Sequence, residues 1–104
     1  MAELTVDLTY GTALFEAARD VGKKDEIMKD ADQVIGIMRD NPDLKAFISY
    51  PAISAAEKKE AVEKIFGSII CREFLNFLFV LIDKGRTGHL EKIIKVYRGL
   101  IDEE

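Results

Sequence analysis

Two residue types suited to proton transfer or nucleophilic attack occur once each in this sequence, as His89 and Cys71. An imidazole titrates near neutral pH and serves as a general base or metal ligand. A thiolate is a nucleophile and a soft ligand. His89 follows Gly88 at a helix start, where a solvent-exposed turn residue is the expected role. Cys71 heads an apolar helical stretch. A helix N-terminus can lower a thiol pKa, but no base candidate stands near it in sequence, and a small half-buried residue is the simpler reading. No Cys/His cluster has the ligand spacing of a zinc site. No Gly-rich loop lies between a strand and a helix to cradle phosphate. Carboxylates are plentiful, yet many face lysines at four-residue spacing, as in Glu60–Lys64 and Glu91–Lys95. Such pairs support surface helices and seldom catalyse. No catalytic residue, cofactor or metal is expected.

The elements that would position these residues are all helical. From Asp7 to Val21, Tyr10, Leu14, Phe15, Ala17, Ala18 and Val21 recur at helical spacing. Gly22 offers a left-handed cap, followed by Lys23 and Lys24 where positive charge suits the helix dipole. A second helix is expected over 25–39, with Ile27, Ala31, Val34, Ile35 and Met38 on one stripe. Asn41-Pro42 reads as a cap and first helical residue, opening a short helix that ends before Pro51. Ser54-Ala-Ala-Glu57 reads as a capping box, starting a helix that turns Val62, Ile65 and Phe66 inward and ends near Gly67. A fifth helix is expected over 71–84, stopped by Gly85. The last starts near Gly88, with Leu90, Ile93, Ile94, Tyr97, Leu100 and Ile101 inside. No strand-like alternation competes, so the expected fold is all-α: a compact single-domain bundle of about six helices.

Composition narrows the class. The 104 residues, 48% hydrophobic and 33% charged, fit one domain and are too apolar for a disordered tail. One cysteine permits no disulfide within the chain. The longest apolar run, Phe77 to Ile82, falls far short of the roughly 20 residues that cross a bilayer. The N-terminus lacks the pattern of a signal peptide, so a soluble, intracellular-type domain without membrane insertion is expected. Net charge is −4. The first half carries this excess and the second half is balanced, which argues against nucleic acid, whose phosphates require a concentrated basic face.

Two helices carry more apolar surface than a monomer requires. The first keeps Thr9, Thr12, Glu16, Arg19 and Asp20 on a polar wedge, and the remaining arc spans roughly 200°, against about 100–140° for a helix lying on a core. In the fifth, the polar strip narrows to Arg72, Glu73, Asn76, Asp83 and Lys84. Either the fifth helix is central in the bundle, or its excess joins that of the first in a groove for a partner's amphipathic helix. The small residues Gly11, Ala13, Ala17 and Ala18 suit close approach in both cases.

Four blocks carry a resemblance: Tyr10-Gly-Thr-Ala-Leu-Phe-Glu-Ala-Ala, Asn41-Pro-Asp-Leu, Pro51-Ala-Ile-Ser with Glu57-Lys-Lys, and Asn76 through Arg86. In order and spacing they resemble the delta subunit of the F-type ATP synthase, the family of the oligomycin sensitivity conferral protein. The Asn76-to-Arg86 block is the most specific, and the resemblance covers nearly the whole chain. Members are longer, so it implies that residues 1–104 correspond to the N-terminal helical-bundle domain, with a C-terminal domain absent from this chain.

The resemblance further implies a non-catalytic stator role, holding the catalytic head to the peripheral stalk during proton-driven ATP synthesis. Its implied partner is the N-terminal amphipathic helix of an alpha subunit, docking between the first and fifth helices. The peripheral-stalk b subunit would be met mainly through the missing domain. The contacts carried over are Tyr10, Ala13, Leu14 and Ala17 with Phe77, Val80, Leu81 and Lys84. Mid-arc residues such as Phe15 and Leu78 are assigned to the core. The implied location is the cytoplasmic face of a bacterial plasma membrane, as a peripheral component. The alternative is a free-standing helical adaptor or regulatory module with an unknown partner.

Overall fold

The computed structural model describes the backbone of residues 2–104 and the side chains from Thr5 onward. Six α-helices follow one another: α1 (Ala2–Asp20), α2 (Lys24–Asp40), α3 (Pro42–Ser49), α4 (Ala55–Phe66), α5 (Arg72–Lys84) and α6 (Leu90–Asp102). One 3-10 turn, Thr87–His89, leads into α6, and the described residues contain no strand. The all-α expectation holds, with α1 starting earlier than its apolar periodicity indicated because no helix breaker precedes Asp7.

The helix ends follow local chemistry. Gly22 and Gly85 have φ of 69° and 66°, the left-handed region where a side chain would be strained. After each, paired backbone bonds close the helix: Lys23 N–H to Ala18 O with Gly22 N–H to Arg19 O, and Arg86 N–H to Leu81 O with Gly85 N–H to Ile82 O. Ser54 accepts from the Glu57 N–H at 3.1 Å as expected, while the Glu57 carboxylate accepts from the Ser54 hydroxyl at 3.2 Å. Pro42 opens α3. Asn41, however, does not cap it: its side-chain amide donates back to Ile37 O at 2.7 Å and closes α2 instead.

The core gathers one stripe from each helix, including Leu14 and Ala18, Ile27 and Val34, Ile48, Phe66, Leu75 and Leu78, and Ile93 and Tyr97. Leu78 is a core residue as expected; Phe15 is half-buried, its ring edge-on to Tyr97 at 6.4 Å. Ile65, assigned inward, is instead exposed, while Val62 and Phe66 supply the buried face of α4. Helix α1 lies parallel to α6: Asp7 meets His89, Gly11 meets Ile93 and Val96, and Phe15 meets Tyr97. The approach is close at Gly11, where an added Cβ would lie 2.6 Å from Val96 Cγ1. Two polar ties cross the core. The fully buried Tyr97 donates its hydroxyl to Lys24 O at 2.7 Å, and Asp30, 6% exposed, accepts from the Cys71 N–H at 2.8 Å. The first secures the start of α2; the second places a carboxylate at the N-terminus of α5, where the helix dipole favours it.

Candidate functional site

Helices α1 and α5 run antiparallel, both packing on α2 and meeting each other only sparsely, chiefly through Tyr10 and Phe77. Helix α1 packs chiefly on α6, and α5 chiefly on α4. The space between them is an apolar groove whose walls include Tyr10, Ala13, Ala17, Phe77 and Val80. It exists because Ala13 and Ala17 are too short to fill it, whereas Gly11 and Ala18 of the same helix turn inward and are buried. Tyr10 and Phe77 bridge it edge to face, with centroids 6.5 Å apart and planes at 71°. Val80, 42% exposed, stands on the rim.

The eight residues assigned from sequence divide as follows. Tyr10, Ala13, Ala17, Phe77 and Val80 converge on the groove, and Leu14, 3% exposed, forms its floor. Lys84 lies outside the lining, exposed on the same face of α5 one turn beyond Val80. Leu81 is a correction. It is 1% exposed and faces Val34 and Phe66 within the core, because one residue past Val80 rotates the helix about 100°.

Three lining residues were missed: Ile27, Glu73 and Asn76. Glu73, Asn76, Phe77 and Val80 share a face at three- and four-residue spacing, so helical spacing counted back from Phe77 and Val80, which the family resemblance supplied, contained a signal for the polar pair. Ile27 reaches the groove floor from α2, which no pattern within α1 or α5 reveals. At this end Lys23 donates to Glu73 at 2.9 Å. That bond raises the lysine pKa and lowers the glutamate pKa, so both remain charged at neutral pH.

The two residues first considered for chemistry stand apart from the groove. His89 is not a solvent-exposed turn residue: its Nδ1 lies 2.9 Å from a carboxylate oxygen of Asp7, which is 4% exposed. The pair ties the N-terminal half of α1 to the turn before α6. Cys71 is half-buried as expected, and burial pushes its thiol pKa up to about 11, so it is protonated at neutral pH. Its sulfur and carboxylate oxygens of Glu26 and Asp30 lie within 4.8 Å of one another, the one grouping of potential metal ligands among the described residues. Asp30 already accepts from the Cys71 N–H there.

No helix among the described residues is long and apolar enough to cross a membrane. Residues 6–104 match the family described as ATP synthase delta (OSCP) subunit. The chain is 36% identical over 102 residues to an ATP synthase subunit delta of Alkaliphilus oremlandii, covering 98% of this chain and 56% of that protein. It is 33% identical over 103 residues to the same-named protein of Syntrophomonas wolfei, covering 99% and 57%. A Clostridium botulinum relative of the same name is 36% identical over 90 residues, covering 86% of this chain and 50% of its own length. The chain thus spans about half the length of these relatives, and most of the chain is shared with each of them. It belongs to the ATP synthase delta (OSCP) subunit family.

Proposed function

We propose that this chain is the N-terminal domain of a delta-type subunit and acts as a non-catalytic stator element of a rotary ATP synthase. Its α1/α5 groove receives the N-terminal amphipathic helix of an alpha subunit, helping to hold the catalytic head to the peripheral stalk. Contact with the stalk's b subunit would fall mainly to chain outside these 104 residues. The domain would work as a peripheral part of a membrane complex, on its cytoplasmic side. The observation that carries this reading is the groove itself: in a chain of this family, a cleft with aromatic and aliphatic walls is left open between two helices. A stator transmits torque and performs no chemistry, so its requirement is slow dissociation. Apolar burial anchored by aromatic side chains meets that requirement.

Calorimetric titration with a synthetic peptide of the cognate alpha-subunit N-terminus tests the proposal. One-to-one binding with a negative heat-capacity change is expected. Val80→Asp would place an unpaired charge in the desolvated groove and weaken binding by about 3–5 kcal/mol. Its effect on folding stays within about 0.5 kcal/mol, because Val80 is already 42% exposed. Absence of binding at tens of micromolar peptide, or binding indifferent to Val80→Asp, overturns the proposal and leaves a helical adaptor with another partner.

A further inference from the structure

A second surface, sharing no residue with the groove, runs between α2 and α6 and continues past the 3-10 turn toward the end of α3. Three depressions join here through common walls: two share Arg39 and Glu91, and two share Lys92 and Thr87. Gly36 leaves the trench open, since a Cβ there would meet nothing within 4 Å.

Its charge is opposite to that of the molecule. The chain carries −4 overall, yet the trench walls present Arg39, Lys45, Lys92, Lys95 and Arg98 against only Asp32 and Glu91. Both of those carboxylates are already engaged, Asp32 by Arg98 at 2.6 Å and Glu91 by Arg39 at 3.8 Å. Lys45, Lys92 and Lys95 have no ion-pair partner among the described residues; the Glu91–Lys95 pair expected from spacing does not form, because Glu91 turns to Arg39 instead. Three positive charges are therefore left uncompensated along one concavity. Lys92, Lys95 and Arg98 form a row at three-residue steps on α6, spanning about 9 Å of helix. Between the charges lie apolar atoms of Ile35, Met38 and Ile94.

We propose that this trench docks an acidic, amphipathic protein segment, a helix whose carboxylates recur at three- or four-residue intervals beside apolar residues. That spacing matches the row on α6, and the apolar side chains would cover the trench floor. The paired carboxylates in the walls disfavour a polyanionic nucleic acid, and exposed cations flanking a concavity with an apolar floor suit an inserted segment better than a flat anionic membrane. The inference is independent of the groove's occupant.

The test is NMR titration of the isotope-labelled chain with a synthetic helical peptide carrying glutamates every third and fourth residue beside leucines. Expected are shift changes confined to α2, the second half of α3, the 3-10 turn and α6. The affinity should fall with added salt, and the double variant Lys92→Glu/Lys95→Glu should weaken it about tenfold or more while retaining native helicity. Val80→Asp should leave it unchanged, which separates this site from the groove. The proposal is overturned by shifts mapping to α1 and α5, by equal binding of the glutamine version of the peptide, or by no perturbation at millimolar peptide. Binding of phosphatidylglycerol vesicles through the same lysines without binding of the peptide would overturn it in favour of a membrane surface.

Discussion

Replacing a glycine by alanine at two helix-interior positions should move stability in opposite directions. Gly36 in α2 and Gly11 in α1 gain the same intrinsic helix propensity from the change, about 0.8–1 kcal/mol. At Gly36 the new methyl meets nothing within 4 Å, so Gly36→Ala should stabilise by roughly that amount and raise Tm by about 4–8 °C. At Gly11 the same methyl would lie 2.6 Å from Val96 Cγ1, 2.7 Å from Val96 Cβ and 3.0 Å from Ile93 O. Rotating the valine relieves only the first contact, because Cβ and the carbonyl move only with the backbone. The α1/α6 seam must therefore open, and overpacking of this kind costs about 1–3 kcal/mol. Propensity cancels between the two variants, so their difference isolates the seam: Gly36→Ala should be the more stable by about 1–3 kcal/mol. Urea and thermal unfolding followed by circular dichroism measure it, with coincident transitions confirming two-state behaviour. If Gly11→Ala proves as stable as Gly36→Ala, α1 and α6 do not approach as closely as the structure shows.

Three further outcomes are expected. Asp30→Ala should cost about 1–3 kcal/mol by leaving the Cys71 N–H unpartnered, whereas Asp30→Asn, which keeps an acceptor, should cost clearly less; equal losses in urea unfolding would deny that bond its role. Tyr97→Phe should cost about 1–2 kcal/mol through the lost bond to Lys24 O. Burial pushes the Tyr97 pKa from 10.0 up to about 12, so the native state keeps a proton that the unfolded chain releases. Stability should fall as pH rises from about 10 toward 12, and this component of the alkaline loss should vanish in Tyr97→Phe. Cys71, its pKa raised from 9.0 to about 11, should alkylate much more slowly at pH ~8 in the native chain than after denaturation; equal rates would place the thiol in solvent.

Features decided within a few residues were legible in the sequence. Gly22, Gly85 and Ser54 end or start helices where their backbone and hydroxyl chemistry requires, and the stripes of α2 and α6 face the core in their expected order. The groove was legible in part, because an apolar arc too wide for one neighbour shows in the residues of α1 and α5 alone. Periodicity names a face but not the line where core gives way to surface. Leu81 and Ile65 each lie near such a line, and they fell on the sides opposite to those expected. Contacts across long separations left no local trace: Asp7 with His89 and Asp30 with Cys71 each join residues that only the packed bundle brings together. Asn41 failed as a cap for a nearer reason, since its amide could equally serve the carbonyls of the helix just ended.

Because the two walls of the α1/α5 groove belong to different helix pairs, its aperture is held by few contacts beyond the Leu14 and Ile27 floor that it shares with the core. Widening it breaks the Tyr10–Phe77 ring contact, worth about 0.5–1.5 kcal/mol, and the solvent-screened Lys23–Glu73 bridge. It leaves α1 seated on α6 and α5 on α4. An empty groove is therefore compliant and can fit occupants of different girth at small cost. A helix filling it would press on both walls at once and remove that compliance, so the loaded domain would be a stiffer joint than the unloaded one.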